Sequence, residues 1–107
     1  MKTYVVLITA PNEPETAKKL ARILVEERLA ACVNLVPGLT SVYRWKGEVV
    51  EDAEVLLIAK TTEDRLPELM ARVPELHPYE VPEVLALEVG AGHPPYLEWV
   101  RASTAFS

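Results

Sequence analysis

Apolar residues fall along this chain in four strand-like stretches, with helical spacing between them. Tyr4-Val5-Val6-Leu7-Ile8 is a continuous run rich in β-branched residues, as expected of a strand covered on both faces. Behind it, Asn12 followed by Glu15 has the form of a capping box, with Pro11 and Pro14 held in the loop and first turn. Ala17, Leu20, Ala21, Leu24 and Arg28 then recur at three- and four-residue spacing, which predicts a helix ending near Leu29 with one face on a sheet.

From Ala31 to Lys60 the pattern predicts one long hairpin that turns near Gly47, because Lys46-Gly47 supplies the positive φ of a tight reversal. Pro37-Gly38 interrupts its first strand, which suits a sheet edge or a bulge. The strand after Gly47 runs for about thirteen residues, or ~43 Å at ~3.3 Å each, against a radius of gyration of ~13 Å for such a chain. The hairpin must therefore overhang the body as an arm. Val42, Tyr43, Trp45, Val49 and Val50 would make that arm a sticky edge, which points to self-assembly.

A second helix is expected to start near Asp64, with Pro67 in its first turn, an apolar stripe of Leu66, Leu69, Met70 and Val73, and a stop at Pro74. His77 to Glu83 reads as a proline-stiffened connector and Val84 to Val89 as a fourth strand. Pro94 to Arg101 predicts a short last helix, and the tail from Ala102 shows no pattern. The order βαββαβ plus a helix predicts a single α+β domain over 1–107, a ferredoxin-like sandwich with strands one and three central.

Composition narrows the functions. The chain of 107 residues is 50% hydrophobic and 25% charged, enough for one core, and carries a net charge of -5. No basic stripe is available for nucleic acid or anionic membrane. No apolar run approaches the ~20 residues of a membrane span, and no secretory pattern follows Met1, so a cytoplasmic protein is expected. A lone cysteine agrees with a reducing compartment. Nine prolines, only two asparagines and no glutamine fit a heat-adapted source.

The candidate chemistry is sparse. Cys32 lies in an apolar strand, where a free thiol is usually a small buried hydrophobe, and a nucleophilic role would need a nearby base. His77, close to Glu80 and Glu83, has the donor types of a copper or zinc site, yet no paired metal spacing accompanies it. His93 precedes two prolines and is expected in solvent. Glu48, Glu51, Asp52 and Glu54 are expected to pair with Arg44 and Lys46 across the hairpin, with a cation site as the sharper alternative. Thr9 to Asn12 stands where a strand opens into a helix, a position fit for a small anion at most.

Five segments together carry a resemblance: Thr9-Ala10-Pro11, Leu29 to Asn34, Ser41 to Gly47, Leu57 to Thr62 and His77-Pro78-Tyr79-Glu80-Val81-Pro82-Glu83. In this order, over almost the whole chain, they resemble the CutA family of divalent-cation tolerance proteins. The resemblance implies a ferredoxin-like homotrimer built like PII signalling proteins, with a role in tolerance of copper and other divalent metals. With the overhanging hairpin arm read as what holds the trimer, the leading expectation is a non-enzymatic protein that binds copper or another divalent cation weakly. A PII-like sensor of a small ligand between subunits is the second reading, and a hydrolase the third. The family's proposed copper ligands are a cysteine just before Thr-Ala-Pro and a His-His pair before Pro-Tyr. Here those places hold Ile8 and Leu76-His77, so His77 alone is implied as a metal ligand.

Overall fold

The computed structural model describes residues 1–106. Seven elements follow in order: β1 (Thr3–Pro11), α1 (Pro14–Glu26), β2 (Cys32–Trp45), β3 (Glu48–Thr62), α2 (Leu66–Leu76), β4 (Val84–Glu88) and α3 (Pro94–Thr104). All strand pairs are antiparallel, in the order β2-β3-β1-β4, so the two most uniformly apolar strands are central as expected. Val6, Ile8 and Ala10 of β1 and Val55, Leu57 and Ala59 of β3 point to one face and are buried with Leu20 and Leu24 of α1 and Leu69 and Val73 of α2. The opposite face keeps Leu7, Leu56 and Ile58 half-buried and leaves Leu85 and Leu87 more than half exposed, so within one chain the strands are covered on one face rather than two. At one end of that face Thr62 meets Thr104 of α3, with 3.5 Å between their hydroxyl oxygens.

The arm exists and is longer than expected. β3 runs for 15 residues, the turn is Lys46 at φ 50 followed by Gly47 at φ 82, and the molecule extends 44 Å along its longest axis. Positive φ at both central residues is the two-residue turn whose twist matches that of the flanking strands. Pro37-Gly38 is a bulge: pairing shifts between Val36 and Leu39, with Gly38 at φ 81.

Helix boundaries differ from the sequence reading for local reasons. Glu13, not Asn12, caps α1, because Pro14 takes the first helical position and holds the residue before it extended, at φ -130. Pro74 does not stop α2. It falls in the last turn, and the helix continues to Leu76, with the His77 N–H bonded to the Val73 carbonyl at 2.9 Å. Pro74 has no N–H to give the Met70 carbonyl one turn back, a loss that costs least near a helix end. The start of α2 is Leu66, after Arg65, two residues later than expected. The tail is not featureless: α3 extends to Thr104, which is 1% exposed and donates to the Val100 carbonyl.

The end of α1 uses a non-glycine residue in the left-handed region. Arg28 sits at φ 59, with its N–H on Val25 and the Leu29 N–H on Leu24, a Schellman closure that glycine usually serves. The Arg28 side chain is exposed and unpaired by charge among the described residues. Arg28→Gly is therefore expected to stabilise the fold by about 1 kcal/mol, read as a rise in thermal midpoint at fixed protein concentration. A fall instead would mean that the arginine stem contributes packing larger than its backbone cost.

Candidate functional site

The end of β1, the arm and the loop after α2 meet in one cleft of about 690 Å³. Its lining includes Thr9, Ser41, Tyr43, Trp45, Glu54, Tyr79, Glu80 and Glu83. The register explains how the arm contributes. With Trp45 opposite Glu48, the residues Ser41, Tyr43 and Trp45 share one face with Asp52, Val50 and Glu48. Leu39, just past the bulge, pairs with Glu54 on that same face.

His77 anchors the loop to the sheet. Tyr79 N–H donates to His77 Nδ1 at 3.1 Å, which leaves the proton on Nε2, and Nε2–H donates to the Thr9 carbonyl at 2.7 Å. The imidazole is 8% exposed, and its ring lies 4.7 Å from that of Tyr79 at a tilt of 53°. The Tyr79 hydroxyl donates to Glu54 Oε2 at 2.8 Å. Burial, reinforced by the Glu54 carboxylate, holds the Tyr79 phenol well above its ordinary range, so it remains a donor throughout neutral pH. The Tyr43 hydroxyl donates to Asp52 Oδ2, and this bond, followed by partial desolvation, raises the Tyr43 phenol too.

The acids of the arm thus accept from tyrosines. The ion pairs expected with Arg44 and Lys46 do not form among the described residues, because Arg44 is opposite Val49 and shares its face with Glu51 alone of the expected acids. Lys46 instead stands 5.8 Å from the centre of the Trp45 ring. Cys32 is half-buried at the other end of the sheet, with its Sγ 3.8 Å from Lys60 Nζ. Its ladder partner Lys60 is opposite Val5, four residues along β1 from Thr9, or ~13 Å at strand rise, so His77, which is bonded at Thr9, does not serve the thiol. His93 is exposed and caps α3 through its carbonyl, which accepts from the Tyr96 and Leu97 N–H groups.

The segments that build this cleft are those that carried the resemblance, and a family model described as CutA1 divalent ion tolerance protein matches residues 4–103. The chain belongs to that family. It is 61% identical over 100 residues to the divalent-cation tolerance protein CutA of Thermus thermophilus, covering 94% of this chain and 96% of that one. It is 55% identical over 97 residues to Protein CutA of Mus musculus, covering 91% of this chain but 54% of the mouse protein, so it spans about half the length of that relative. The crystal structure of CutA1 from Oryza sativa superposes with a TM-score of 0.94 at 50% identity, covering 100% of this chain and 97% of that one.

Against this family background the donor set for a metal is thin. Ile8 points into the core at 0% exposure and Leu76 packs against that core, so neither position offers a donor. Both nitrogens of His77 are engaged by backbone. Among the described residues no three His, Cys, Asp or Glu side chains converge closely enough to hold an ion. These residues do not fit a resident metal.

Proposed function

We propose that this chain serves divalent-cation tolerance as a cytoplasmic, non-catalytic homotrimer that meets copper or another divalent cation transiently rather than holding it. Assembly is carried by one observation. The arm and the open sheet face present Val42 at 63% exposure and Val49 at 67%, along with Leu85 and Leu87, an apolar area that a single chain leaves in water. A neighbour covering both would bury it at ~25 cal/mol per Å². His77 is the proposed point of metal contact. To ligate through Nδ1 it must release the Tyr79 N–H, and that lost bond keeps affinity modest.

The test has two parts. Light scattering should give a mass three times that of the chain, and a variant lacking 42–50, closed by a short glycine turn, should fold but lose that mass. A wild-type monomer, or an undiminished mass in the variant, would remove the arm as the assembly element. Calorimetry with copper chloride should show weak binding lost in His77→Ala and kept in Cys32→Ala, whereas the opposite dependence would refute His77. A second reading, a PII-like sensor of a small ligand, is favoured by the size of the cleft and by its walls of tyrosine and tryptophan.

A further inference from the structure

We draw no further inference here: the strongest candidate, the pair of Cys32 and Lys60 at the end of the open sheet face away from the arm, with the thiol sulfur 3.8 Å from an amine that already donates to Asn34, rests on a lone cysteine on the face that the proposed trimer covers, and nothing among the described residues points to a ligand there.

Discussion

Leu57→Ala should destabilise the protein by about 3–4 kcal/mol, the largest single-residue cost in the sheet. Leu57 is 0% exposed at the centre of β3, between Ile8 and Leu35 on its neighbouring strands, in the cluster that α1 and α2 cover. Close packing on every side gives the structure little room to collapse into the void, so both the transfer loss and the cavity penalty apply. Urea unfolding at fixed protein concentration reads the effect as a lowered midpoint with an unchanged slope. The neighbouring Ile58 faces the other way and is half-buried in one chain. Ile58→Ala matches the Leu57 loss only where another subunit covers that face. A Leu57→Ala cost under about 1 kcal/mol would contradict the packing described.

Arg65→Ala should cost about 2–4 kcal/mol, because this buried guanidinium closes the C-terminal end of a helix to which it does not belong. Its Nε donates to the Arg28 carbonyl and its Nη2 to the Glu27 carbonyl, each at 3.0 Å, while Nη1 meets Glu68 at 2.9 Å. The Phe106 ring lies 4.0 Å from the guanidinium carbon. Those carbonyls are groups that α1 cannot satisfy itself, and the positive charge also suits the negative end of its dipole. Thermal melts should show the Arg65→Ala loss and only partial recovery in Arg65→Lys, since an ammonium cannot reproduce the planar fork. Full recovery with lysine would reduce the role of Arg65 to its charge.

How legible each part was depended on the range of its causes. Strand order, arm and bulge were readable because they follow from local patterns: apolar runs at 4–8 and 55–59, the Lys46-Gly47 turn and the Pro37-Gly38 break. The helix ends were misread where one proline rule outweighed another, with Pro14 excluding Asn12 from the cap and Pro74 tolerated in a last turn that faces solvent. In the cleft, the pairing of Tyr43 with Asp52 was within reach, since a two-residue turn at Lys46-Gly47 fixes Trp45 opposite Glu48 and the rest of the register follows. The bond from Tyr79 to Glu54 was not. It joins residues 25 apart through a loop whose course is set by His77 reaching the Thr9 carbonyl, a contact across 68 positions that no periodicity announces. The same backbone contacts give His77 the hydrogen-bonded loop role that residue type alone favoured, beside the ligand role that the resemblance implied.

The bulge at Pro37-Gly38 also limits how these chains can associate. A sheet grows into fibres when an outer strand offers a long, regular row of donors and acceptors to the next molecule. One outer strand, β4, is only five residues long, and the other, β2, is broken partway by a proline that has no N–H and by a shift of register. Neither edge is a continuous template. What remains regular on β2 beyond the break, Leu39 to Trp45, lies on the arm, offset in register from the part before it. A strand added there could not propagate along the whole edge, so a chain that is half hydrophobic is steered away from open-ended aggregation and toward association that closes on itself.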